Sequence, residues 1–228
     1  MAGSLHHINM RRLVLSFLFI SLSLGMGVAQ AQAPQVAISA GHSPYGEKLL
    51  IAGVPNAGRI TDQLYRGGQP RIASIAQLKE LGITTIVDLR GEDVGMRDQE
   101  RKEAESLGIH FVSIPIGGWS PPTSDQVTQF LSLLGGRSNE RVFVHCRRGV
   151  DRTGVFVATY RMAAQKWTIE QAMNEMYFFG FNGFWHRAMS SYIRNFPALL
   201  SSSSAFAKLS NSNSSASAPV PLGEYTSR

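Results

Sequence analysis

Residues 141–154, RVFVHCRRGVDRTG, constrain the fold more than any other stretch of this 228-residue chain. Arg141 to His145 is a short strand-like run built on Val142, Phe143 and Val144. A loop containing Gly149 follows, and from Thr153 the sequence reads as a helix. A strand that feeds a helix through a tight loop belongs to a sheet with helices packed on it. Ligands bind such sheets outside the carboxyl ends of the strands, and Cys146 stands at that end of this one.

The flanks repeat the alternation. Thr84 to Leu89 is a β-branched strand that ends at Arg90-Gly91. Ahead of it, Ser74-Ile75-Ala76-Gln77 has the form of a capping box, and Ile75, Leu78 and Leu81 make a helical stripe. Arg97 to Leu107 reads as a charged helix that stops at Gly108, and His110 to Ile116 as a strand. Thr123 and Gln126 form a second capping box, with Val127, Phe130, Leu131 and Leu134 on the apolar face. Helices are expected over 153–165, 168–178 and 184–196. Phe178, Phe179, Phe181, Phe184 and Trp185 are expected to pack in the core or between helices. The expected class is α/β, with a central, mainly parallel sheet flanked by helices.

Both ends fall outside that domain. Arg11-Arg12 precede an apolar run, Leu13 to Val28, and Ala29-Gln30-Ala31 is an A-x-A cleavage signal. Residues 1–31 are therefore expected to be a signal peptide for export to a bacterial periplasm or beyond. An uncleaved inner-membrane anchor is the alternative, and Met10 an alternative start. Residues 32–59 are expected as an irregular lead-in, 60–200 as the single domain, and the Ser-rich 201–228 as a disordered tail. The formal charge of +6 includes Arg11 and Arg12, which leaves +4 after cleavage. That excess favours anionic ligands, but no basic stripe with interleaved aromatics points to nucleic acid.

Cys146 is the one cysteine, so the chain forms no internal disulfide. A loop entering a helix presents unpaired backbone N–H groups, and the helix dipole adds positive charge: an anion site suited to phosphate. Gly149 permits the backbone turn, and Gly154 allows close packing at the helix start. The same field favours thiolate at Cys146, a nucleophile at neutral pH. Arg152 can fork two N–H groups onto a phosphoryl group, and Thr153 can donate to the sulfur. The expected chemistry is two displacements through a cysteinyl-phosphate, with no metal and no other cofactor required.

The stretch His145 to Gly154 resembles the signature loop of the cysteine-dependent protein tyrosine and dual-specificity phosphatases: His-Cys, five residues, Arg, then Ser or Thr. Tyr65-Arg66-Gly67-Gly68-Gln69-Pro70 and Ile86 to Arg90 are similar to the opening of the compact members. The resemblance spans roughly 61–196 and implies the compact cysteine-phosphatase fold and hydrolysis of phosphomonoesters. It assigns Cys146 and Arg152 to catalysis and Arg147, Arg148, Gly149, Val150, Thr153 and Gly154 to substrate binding. The order Cys, two residues, Gly, one residue, Asp-Arg-Thr also resembles phosphoinositide phosphatases. The expected partner is thus a phosphorylated protein or a phosphoinositide-type substrate.

One element of the family pattern departs. The stretch Ile114 to Pro122 carries no carboxylate where such enzymes hold their general acid. Asp151, inside the loop, and Asp125, in a first helical turn, are the two alternatives, with Asp151 preferred. Arg147 and Arg148 suit a substrate with more than one phosphate. Asp88, Arg90, Glu92 and Asp93 can rim the pocket. His145 is expected to support the loop from within, and Trp119 either stacks on a substrate ring or packs. Two other readings are a phosphate-binding module with poor turnover and a sulfurtransferase.

Overall fold

Among the described residues, seven strands form a sheet in the order β1-β2-β3-β4-β7-β5-β6. They are β1 Ala37–Ile38, β2 Glu47–Leu50, β3 Gly58–Arg59, β4 Leu64–Gly68, β5 Thr85–Arg90, β6 His110–Ile116 and β7 Val142–Cys146. The four from β4 onward pair in parallel, and the short β1 to β3 extend the β4 edge antiparallel. This computed structural model describes residues 37–38, 44–134, 140–204 and 206. The expected signal peptide lies outside the described residues, as does the tail beyond 206. Among the described residues no helix is long and apolar enough to cross a membrane.

Alternation along the strands divides the core between two faces. Leu64, Val87, Val142 and Val144 join one cluster, while Tyr65, Ile86 and Phe143 join the other. The first cluster is closed by α3 Ser124–Ser132, α4 Asp151–Gln165, α5 Ile169–Phe178 and α6 Arg187–Ser202. The second is closed by α1 Ile75–Glu80, α2 Val94–Ser106 and the β2–β3 hairpin. The same alternation separates the last two residues of β7. Cys146 falls with the first cluster, and His145 stacks on Phe143 on the opposite face.

Local chemistry sets most boundaries. The capping boxes at Thr123 and Thr168 form as side chain and backbone pair reciprocally. Gly108, at φ +69°, ends α2. The box at Ser74 does not form: that residue closes a 3-10 turn, with αR backbone and its N–H donating to Arg71 O. α2 starts at Val94, after Asp93 in left-handed backbone.

Four expectations need correction. Residues 37–38, 47–50 and 58–59, inside the expected irregular lead-in, form β1, β2 and β3. These strands are too short, and too broken by Gly and Pro, to show a period of two. α6 begins at Arg187, leaving Phe184 and Trp185 about two-thirds exposed instead of packed. It continues through Pro197 to Ser202, past the expected domain end. Phe206, placed in the expected disordered tail, is buried edge-on against Phe196.

Candidate active site

The β7 strand ends at Cys146 and α4 begins at Asp151, so four residues make the turn. Gly149 sits at its centre with φ +69°. A Cβ there would lie 2.3 Å from Gly67 C and Gly68 N, so any other residue collides with β4 backbone. The Gly149 carbonyl accepts from Asn56 Nδ2 at 2.7 Å and from the buried Arg66, whose guanidinium stacks on Phe179. Burial pulls Arg66 down to about 10 against the opposing pull of Glu175 and Cys146, so it keeps its charge at neutral pH.

Cys146 is 3% exposed at the base of a pocket of about 220 Å³. Glu92, Gly118, Trp119, Arg147, Arg148, Asp151, Arg152 and His186 line the rest. Burial alone would push the Cys146 thiol up. Hydrogen bonds from the Thr153 hydroxyl and from the N–H groups of Thr153 and Gly149, with the Arg152 charge, outweigh burial and hold the thiol below its ordinary value. A larger apolar groove, about 700 Å³, lies between the β2–β3 hairpin and α1, and no Cys, His or Asp lines it. The reactive side chains gather in the smaller pocket.

Arg152 Nη1 and Nη2 donate to Glu92 at 2.8 and 2.7 Å, which pulls the Glu92 carboxyl down. A guanidinium has five N–H donors. One on Nη2 and the one on Nε remain as a fork for two phosphoryl oxygens. Arg148 donates to Asp151 Oδ2 at 2.8 Å, and His186 Nε2 lies 3.4 Å from Asp151 Oδ1. Trp119 stacks on the His186 ring, centroids 4.6 Å apart.

Beneath the pocket, β5 sets Asp88 level with His145. Asp88 accepts from Arg90 Nε at 2.8 Å and Arg97 Nε at 3.2 Å, and Glu100 accepts from Arg90 Nη2 at 2.6 Å. His145 Nε2 lies 2.8 Å from Glu100 Oε1, close as an ion pair but off the line of a hydrogen bond. Burial would favour neutral imidazole. Glu100 and then Asp88 overcome it, so the His145 pKa lies above its ordinary value. His145 is thus buried, as expected.

The pocket gathers Cys146, Arg147, Arg148, Asp151 and Arg152 from the sequence expectation. Thr153 meets the sulfur from below. Val150 is half-buried against the core, and Gly154 faces Met176, so neither adds a lining side chain. Asp125 is exposed in the first turn of α3, outside the lining. Asp88 and Arg90 are fully buried, and of the expected rim residues Glu92 alone lines the pocket. Sequence reading missed His186, which lies 35 positions after Asp151 in a segment read as plain helix. It also missed Asn56 and Glu100. No short motif links these residues to the loop.

The chain is similar to known proteins. A family model described as "DSP-PTPase phosphatase fused to NAD+ Kinase" matches residues 57–192. The dual specificity protein phosphatase TpbA of Pseudomonas aeruginosa is 29% identical over 126 residues, 55% of each chain. Inositol diphosphatase DSP3 of Arabidopsis thaliana is 30% identical over 129 residues, 55% of this chain and 63% of its own. The chain therefore spans a little over half the length of these curated relatives. The crystal structure of P. aeruginosa TpbA superposes with a TM-score of 0.59 at 27% identity, covering 73% of this chain and 99% of the other.

Proposed function

The chain belongs to the DSP-PTPase phosphatase family, and from that premise we propose that it hydrolyses phosphomonoesters through a cysteinyl-phosphate on Cys146. The observation that carries this reading is the buried sulfur, held below its ordinary pKa by Thr153, Gly149 and Arg152. The thiolate attacks phosphorus while the Arg152 fork and the loop N–H groups take the equatorial oxygens. Asp151, at the pocket wall, protonates the leaving oxygen. Water then attacks phosphorus, and the Thr153 hydroxyl stabilises the departing sulfur. Positive charge for both steps comes from Arg152 and the loop itself.

The proposed substrate is phosphotyrosine in proteins, with phosphoserine accepted. A relative studied with phosphotyrosine bound, TpbA, supports it. A second reading, an inositol phosphate or phosphoinositide, draws on exposed Arg147 and Arg148 at the mouth and on the inositol diphosphatases among the relatives. We also propose export through residues 1–31, to the periplasm or beyond, on the arginine pair, apolar run and A-x-A signal. A mature N-terminus other than Gln32 would overturn cleavage at that site.

Phosphate release from phenyl phosphate, a phosphotyrosine peptide and a phosphoinositide, beside Cys146→Ser, tests the activity. Turnover lost in the variant is the expected result, and the preferred substrate ranks the two readings. Binding of these compounds without turnover would instead identify a phosphate-binding module.

A further inference from the structure

Glu92, Asp151 and His186 share the pocket with Cys146, and each can carry a proton. Glu92 is committed: both oxygens accept from Arg152, which keeps it charged. Asp151 is the group nearest the role of acid, yet its Oδ2 accepts from Arg148 at 2.8 Å, the contact of a carboxylate. A carboxylate held as an acceptor in this way has no proton of its own to deliver. A neighbour must supply it.

His186 is placed to do so. Its Nε2 lies 3.4 Å from Asp151 Oδ1, while Nδ1 is buried without a hydrogen-bond partner. The ring is 7% exposed and cannot swing freely: Trp119 stacks on it at 21°, and Phe181 packs at 6.0 Å. The elements around it converge from the β6–α3 loop (Trp119), α4 (Asp151) and the α5–α6 loop (Phe181). The charged groups facing the same space are Glu92, Arg147, Arg148, Arg152 and the Cys146 thiolate. An imidazole can both give and take a proton, so it can supply one to Asp151 and later receive it back.

We propose that His186 is the proton store of the active site, acting through Asp151 as a positioning residue. This rests on the phosphatase reading above. In the first displacement the S–P bond forms and the P–O bond to the leaving group breaks. The leaving oxygen takes a proton from the Asp151 carboxyl, which Asp151 draws from His186 Nε2, and imidazolium becomes imidazole. In the second, water forms the new O–P bond and the S–P bond breaks. The water proton returns through Asp151 to His186, and Cys146 leaves as thiolate. Protons and charge balance over the cycle, which also explains how the pocket dispenses with a carboxylate between Ile114 and Pro122.

The test compares the full chain with His186→Gln on phenyl phosphate, a poor leaving group, and p-nitrophenyl phosphate, a good one, from about pH 5 to 9. The wild type is expected to show an alkaline fall in kcat on phenyl phosphate, set by loss of the stored proton. His186→Gln should lower that kcat roughly 100-fold and remove the alkaline limb, with only a few-fold change on p-nitrophenyl phosphate. Adding Asp151→Asn should cost little more, because both act on one proton. An unchanged limb in His186→Gln, or an equal loss on both substrates, overturns the proposal while leaving the phosphatase reading intact. No turnover by the wild type on either substrate overturns both. If the variant does not fold, the wild type decides. Its sensitivity to leaving-group pKa should be steeper on the alkaline side of that fall than on the acid side, and equal sensitivity sinks the proposal.

Discussion

Thr153 has two jobs at one atom. Its hydroxyl and its N–H both meet the Cys146 sulfur, and together they counter the burial that opposes thiolate. Thr153→Ala removes the hydroxyl alone. A thiol held below its ordinary value is charged above that lowered pKa and protonated below it. Losing one donor raises the pKa, so the acid limb of kcat/KM should move to higher pH. Breakdown of the cysteinyl-phosphate should also slow, since the sulfur leaves as an anion. A hydrogen bond to a charged atom is worth about 1.5–3 kcal/mol, roughly 10- to 100-fold in kcat. A pH–rate profile and the size of the pre-steady-state burst check both effects. Gly149 is a different kind of constraint. At φ +69°, with β4 backbone 2.3 Å from where a Cβ would sit, Gly149→Ala must move the loop. It should cost more than about 2 kcal/mol of stability and abolish phosphate binding, read by thermal melting with and without phosphate.

At the scale of elements, β7 explains why the chemistry is split between faces. Its alternation sends Cys146 toward α4 and His145 toward α2, where Asp88, Arg90, Arg97 and Glu100 form a buried ionic cluster. His145 has its folded pKa raised, so it contributes stability that is full below its ordinary pKa and fades as pH rises through the folded value. Cys146 runs the other way: its lowered pKa contributes stability present above the ordinary thiol pKa and lost as pH falls through the folded value. Cys146→Ser isolates the histidine. In that background, melting temperature should fall as pH rises above about 6.5. Glu100→Gln should flatten that dependence and cost about 3 to 5 kcal/mol, because it leaves buried cations short of a partner. A pH-independent melting curve in the parent would contradict the assignment. The sequence made the strand, the loop and the nucleophile legible because all three lie within fourteen residues. It did not reveal Glu100, 45 positions before His145, or His186, because their roles come from pairings that only the folded sheet creates. Asp151 was readable as a pocket residue, but its partners were not.

For the whole molecule, the edges of the domain carry more than their sequence suggests. Phe206 lies in a Ser-rich stretch that by composition reads as disordered, yet it closes the cluster at Phe196. Phe206→Ala should cost about 3 kcal/mol in chemical denaturation. The other edge is more consequential. Leu49, Ile51, Val54 and Ala57 bury themselves in the second cluster, and β3 covers the edge of β4. Gly46 N–H donates to Glu175, and Asn56 holds both the Gly149 and Phe179 carbonyls. The hairpin therefore supports the fold and the phosphate loop at once. A chain beginning at residue 60, the boundary that sequence alone suggests, loses all of this. Three large apolar residues at about 1.5–3 kcal/mol each amount to roughly 5–9 kcal/mol. That rivals the roughly 5–15 kcal/mol that holds a typical domain together. The 60–228 chain should be unfolded or molten at 25 °C and inactive, while 44–228 should melt close to the full chain and keep its kcat. A 60–228 chain with normal melting and turnover would show that the loop holds its shape through Arg66 alone, and that the hairpin is an ornament of the fold and not part of its active site.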